Sequence, residues 1–197
     1  MKDMNICFCL IIFNMRTFIA IDCNNKEKIW NLQQMILNST PTLNGVMKAI
    51  DPQNLHFTLF FFGEVDDKKV EQIKNKMNEI TFERFEIIYK KIGVFPSYKF
   101  PKVIWIGLDD NSTRKLISIF ELLKFKMEQI GFKPDKHFKP HLTLFRVKNP
   151  IANIKDYLIK YTDFMAGADI IDKIHIKKSE LFPSGPVYSN ISTVFAK

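Results

Sequence analysis

Residues 55–65 read LHFTLFFFGEV and residues 141–147 read HLTLFRV, so the pentad His-x-Thr-Leu-Phe stands twice in the chain, at 56–60 and 141–145. A composition of 4 His and 9 Thr in 197 residues yields only roughly 0.2 His-x-Thr triplets by chance, so coincidence is a poor account. Each stretch alternates at its start and is rich in Phe, Leu and Thr, the pattern of a half-buried strand. Side chains at i and i+2 of a strand share a face, so His56 projects with Thr58, and His141 with Thr143. Leu55, Phe57 and Leu59, and likewise Leu142 and Leu144, then turn to the core. Strands related by an internal pseudo-twofold would set the two polar stripes facing each other across a cleft.

Outward from these strands, stretches of period 2 and period 3.6 alternate, which predicts a mixed α and β protein. Strands are expected at 16–22, 46–50, 55–65, 82–94, 102–108, 141–147, 170–182 and 187–195. Asn24 or Asn25 is placed to cap a helix reaching about Leu37, with Ile29, Trp30, Leu32, Gln33 and Ile36 near helical spacing. Asp66-Asp67 caps a second helix running to about Met77, with Val70, Ile73 and Met77 on one face. Asn111 or Ser112 opens a long helix that Gly131 stops. A helix of about ten residues is expected after Asn149-Pro150. No linker is long or polar enough to divide the chain, so residues 15–197 read as one compact unit.

The opening residues are a separate matter. The run ICFCLIIF at 6–13 lacks the small-residue cleavage site of a signal peptide, and Asn14, Arg16 and Asp22 interrupt it too soon for a membrane span. Residues 1–14 are read as an extension upstream of a true start at Met15. Cys7, Cys9 and Cys23 are odd in number and complete no zinc spacing, so neither a disulfide framework nor a metal is expected. Free thiols favour a reducing compartment, and the protein is read as cytoplasmic and monomeric. With 7 Gly and 9 Pro against 46% hydrophobic residues, a disordered or collagenous chain is excluded. The net charge of +8 favours polyanionic partners without deciding the function.

Two imidazoles and two hydroxyls in a basic groove suit a phosphate ester. One ring takes a proton from water while the other gives one to the departing oxygen, and the hydroxyls hold the non-bridging oxygens. An unperturbed histidine titrates near pH 6.5, so a pair with one neutral and one charged ring is accessible near neutrality. A strained cyclic phosphate needs no metal or other cofactor for this. His137 and His175 lack the motif's context and are read as structural or surface residues.

The paired motifs, in this order and spacing, resemble the two-histidine phosphoesterase superfamily, and most closely its LigT-like RNA 2′,3′-cyclic phosphodiesterases, also called 2′-5′ RNA ligase-like proteins. MRTFIAID, GVFPSYKFPKVIWIGL and SELFPSGPVYSNIS resemble the family's opening strand, mid-chain segment and closing hairpin. The resemblance implies a bilobal α+β fold, with two antiparallel sheets forming a central cleft and helices packed outside. It implies hydrolysis of RNA 2′,3′-cyclic phosphate ends to 2′-phosphates and, run backwards, 2′-5′ ligation; the residues themselves suggest no membrane partner. By the same resemblance His56 is the acid, His141 the base, and Thr58 and Thr143 bind phosphate oxygens. Arg146 matches an arginine that contacts phosphate or the RNA end, yet in an unbroken strand it points away from His141 and needs a bulge to reach the cleft. Two alternatives stay open. One keeps the site for 2′-5′-linked oligonucleotides or small cyclic nucleotides. The other is a non-catalytic RNA-binding module stacking bases on Tyr98 or Trp105, although Trp105 lies in an apolar strand and suits core packing.

Overall fold

The computed structural model describes residues 14–197 apart from 44, 135, 150, 152, 153 and 184. Residues 1–13, with Cys7, Cys9 and nearly all of the suggested extension, lie outside the described residues, as do Pro150 and Ser184 at two expected breaks.

Among the described residues nine strands and four helices follow one another as β1 (Met15–Asp22), α1 (Lys26–Ser39), β2 (Met47–Ala49), β3 (His56–Val65), α2 (Asp67–Asn78), β4 (Phe85–Pro96), β5 (Pro101–Leu108), α3 (Asp110–Glu128), β6 (Leu142–Val147), α4 (Ile154–Leu158), β7 (Met165–Ile171), β8 (Lys173–Phe182) and β9 (Gly185–Phe195). They form a four-stranded sheet, β3-β1-β8-β9, and a five-stranded sheet, β2-β6-β5-β4-β7, with antiparallel pairing throughout. The fold is α+β, with the helices on the outside of the sheets, as the family resemblance implies.

The sheets match strand for strand. β3-β1-β8-β9 corresponds in order to β6-β5-β4-β7, and β1–α1–β3–α2 is echoed by β5–α3–β6–α4. β2 is the added strand that breaks the symmetry. The core lies between the sheets, where Phe57 of β3 stacks on Tyr89 of β4 at 6.0 Å and both are fully buried. Ile29, Leu32 and Ile36 of α1 and Leu116, Phe120, Leu123 and Met127 of α3 join the same cluster. Burying each such side chain stabilises by about 1.5–3 kcal/mol, so a cluster of this size holds both sheets without staples.

A polar tie also crosses from one sheet to the other. The Asp169 carboxylate on β7 accepts the backbone N–H groups of Asn24 and Asn25 and the Tyr89 hydroxyl, at 2.8, 3.1 and 2.9 Å. The Asn24 and Asn25 side chains donate to the carbonyls of Ile170 and Ala168, so neither caps α1 with its side chain. Of the other expected caps, Asp66 accepts from Lys69 N–H, whereas α3 is capped by Asp109, accepting from Ser112 N–H, and not by Asn111 or Ser112. Gly131 ends that helix at φ +85°, a left-handed conformation that its missing Cβ permits.

Two further expectations need correction. Among the described residues the helix after Asn149 is Ile154–Leu158, five residues continued by a 3-10 turn at Ile159–Tyr161. The strand expected at 170–182 is two strands, β7 and β8, broken at Asp172.

Candidate functional site

His56 begins β3 directly after a 3-10 turn, Pro52–Asn54, that Asp51 caps by accepting Gln53 N–H at 2.8 Å. Its Nδ1–H donates to the Asn54 carbonyl, two residues back, at 2.8 Å. His141 stands immediately before β6, and its Nδ1–H donates to the Lys139 carbonyl, again two residues back and at 2.8 Å. A carbonyl only accepts, so each bond fixes the proton on Nδ1 and leaves Nε2 as the nitrogen free for chemistry.

Both rings line a single cleft of about 910 Å³ between the sheets, together with Thr58, Thr143 and Arg146. The predicted residues are therefore gathered in one place. Each ring is also flanked by two aromatics. Phe18 and Tyr188 lie 5.2 Å from His56, while Phe95 and Trp105 lie 4.9 and 6.3 Å from His141. This apolar surround pushes His56 down to about 4, burial outweighing the Asn54 hydrogen bond and the Asp22 carboxylate. Burial lowers His141 as well, with Lys139 adding to it and the hydrogen bond opposing.

The position of Arg146 follows from a bulge. Between β5 and β6 the register slips at Ile104/Trp105, so Leu144 and Phe145 both turn inward and Arg146 comes out on the cleft face. Between β1 and β3 the same slip occurs at Ile19/Ala20, with Leu59 and Phe60 inward and Phe61 outward. Phe61 is thus the symmetry mate of Arg146, five residues after its own histidine, and it lines the cleft too.

The exposed aromatics of the cleft differ from those the sequence nominates. Tyr98 lies outside it, and Trp105 is buried beside His141, with Lys139 Nζ 4.6 Å above its ring. Trp30 and Phe61, about half exposed, are the most exposed aromatic side chains of the cleft lining. Helical spacing puts Trp30 near the buried face of α1, and only the position of β6 reveals that it overhangs the cleft. Gln33 of the same helix is fully buried and ties it to the site, donating through Nε2 to the carbonyls of Ile50 and Leu144 at 2.9 and 2.8 Å.

His137 and His175 lie outside the cleft lining. His175 is buried, shares a hydrogen bond with Thr193 Oγ1 at 2.9 Å, and stands 3.7 Å from Asp22. Asp22, the last residue of β1, also meets buried Lys177 at 3.0 Å. Among the described residues no cluster of three metal-ligating side chains occurs, and no helix is long and apolar enough to cross a membrane.

Comparison with known proteins agrees with this geometry. The family described as LigT like Phosphoesterase matches residues 21–105 and again residues 106–188, one match for each histidine motif. An Archaeoglobus fulgidus protein named RNA 2′,3′-cyclic phosphodiesterase is 36% identical over 181 residues, covering 90% of this chain and 98% of its own. The Methanocaldococcus jannaschii protein of the same name is also 36% identical, with the same coverage. Among solved structures, Escherichia coli LigT complexed with 3′-AMP aligns with a TM-score of 0.73 at 21% identity, covering 94% of this chain and 99% of that one.

Proposed function

The chain belongs to the LigT-like phosphoesterase family, and from that premise we propose that it hydrolyses RNA 2′,3′-cyclic phosphate termini to 2′-phosphates, with residues 15–197 acting as one bilobal domain. The observation that carries this reading is the cleft itself. Two imidazoles, each pinned through Nδ1 by its own upstream carbonyl, face it together with two hydroxyls and a guanidinium.

In this mechanism His141 Nε2 takes a proton from water as the water oxygen attacks phosphorus. The P–O3′ bond breaks, and His56 gives its Nε2 proton to the departing O3′, leaving a 3′-hydroxyl and a 2′-phosphate. Thr58 and Thr143 donate to the non-bridging oxygens, and Arg146 binds phosphate of the RNA end. Each positioned proton transfer contributes about 10²–10⁴-fold. With a 5′-hydroxyl in place of water, the same site joins two ends through a 2′-5′ linkage. The protein acts as a cytoplasmic monomer on RNA ends, with no metal or other cofactor.

The test is to incubate the protein with an oligonucleotide ending in a 2′,3′-cyclic phosphate and to map the product's phosphate. A 2′-phosphate is expected, with at least about 10²-fold loss in His56→Ala and in His141→Ala. Full turnover in either variant refutes the reading.

A further inference from the structure

The added strand β2 gives the cleft a direction. Lys48 on β2 is the direct cross-strand partner of Arg146 on β6, and residues so paired project side by side on one face. Both side chains line the cleft and are exposed. Among the described residues no carboxylate lies within ion-pair distance of either. Asp51, the acidic residue of the cleft lining, is occupied in capping the turn before His56.

The opposite wall has no equivalent pair: its lining cation, Arg16 of β1, stands alone, with Glu64 and Ser179 as its cross-strand partners. β3 is the outermost strand of its sheet, and at the mate of Arg146 it presents Phe61, next to Phe18 of β1. Two adjacent free cations therefore stand on one wall, and an aromatic surface stands at the related place on the other. The cyclic phosphate is already met by two imidazoles and two hydroxyls. Arg146 lies three residues along β6 from Thr143, roughly 10 Å at 3.3 Å per residue, so the cation pair reaches beyond the reacting group.

We propose that Lys48, with Arg146, binds a second phosphate of the substrate, the one esterified to O5′ of the terminal nucleoside, so that the enzyme selects RNA strand ends over simple nucleoside cyclic phosphates. This rests on the hydrolase reading above. It makes Lys48 a specificity residue of the reaction and leaves it no part in proton transfer.

Three substrates test it: adenosine 2′,3′-cyclic phosphate, the same compound carrying a 5′-phosphate, and the dinucleotide ApA with a 2′,3′-cyclic end. The wild-type protein is expected to favour both 5′-phosphorylated substrates about tenfold or more in kcat/KM, the preference shrinking as salt rises. Lys48→Ala loses most of that preference, and Lys48→Arg keeps it; thermal melting establishes that both variants are folded. Equal kcat/KM on all three substrates, or an undiminished preference in Lys48→Ala, overturns the proposal. A preference confined to the dinucleotide and untouched by Lys48→Ala shows that the second nucleoside is read instead, which also overturns it. Absence of wild-type turnover on every substrate points elsewhere, to failure of the hydrolase reading.

Discussion

Burial holds His56 at about 4 and His141 below the usual histidine value, so both rings are neutral in the free protein at pH 7. The proposed reaction needs His56 protonated and His141 neutral. The kcat/KM profile, which reports the free enzyme, is therefore expected to peak between about pH 4 and the ordinary value near 6.5, falling on both sides. A bound phosphate brings negative charge beside both rings and favours their charged forms, so the kcat profile peaks at higher pH. A kcat/KM optimum above pH 7.5 contradicts this. Stability carries the same signature. The unfolded histidine binds its proton near pH 6.5 and the folded one only near 4, so the unfolded state holds more protons in that window. Stability then falls as pH drops from about 6.5 to 4, and the slope is expected to flatten in His56→Gln, measured by thermal melts across that range.

At the scale of elements, the aromatic support of His141 depends on an absent side chain. Gly93 of β4 faces Trp105 of β5 across the pair, and a Cβ there would press into the indole ring. Gly93→Ala is expected to cost about 1–3 kcal/mol by overpacking and to lower turnover through displaced Trp105, although it touches neither histidine. Denaturant midpoints check the first part and steady-state rates the second; an unchanged midpoint refutes it. The two histidine strands were legible because an exact repeat on a period of 2 is a strong local pattern. The bulge that brings out Arg146 was legible only as a requirement, since a register slip is decided by the partner strand β5 and not by β6 itself. β7, with the sequence MAGADII, shows no alternation, because its buried polar residue, Asp169, answers to Asn24, Asn25 and Tyr89 far away in sequence. The cap of α3 went to Asp109 for a similar reason: Ser112 is buried and its Oγ accepts Ile88 N–H from β4. Trp30 and Lys48 owe their place in the cleft to the packing of α1 and to the added strand, neither of which a helical wheel or a short strand pattern contains.

For the molecule as a whole, the two sheets are assembled from different stretches of chain. The five-stranded sheet draws only on residues from Met47 to Ile171, whereas the four-stranded one joins β1 and β3 near the start to β8 and β9 at the end. Without its last two strands, β1 keeps β3 on one side and offers an unpaired edge on the other. A chain stopped at Asp172 is expected to be insoluble or unfolded, as judged by circular dichroism and size exclusion; a folded, monodisperse fragment contradicts this. The ribosome thus makes the first histidine's strand early and the platform beneath it last. During synthesis β1 and β3 wait, half-paired, for β8 and β9, Lys173–Phe195, and a product truncated before them lacks the Tyr188 side of the cleft.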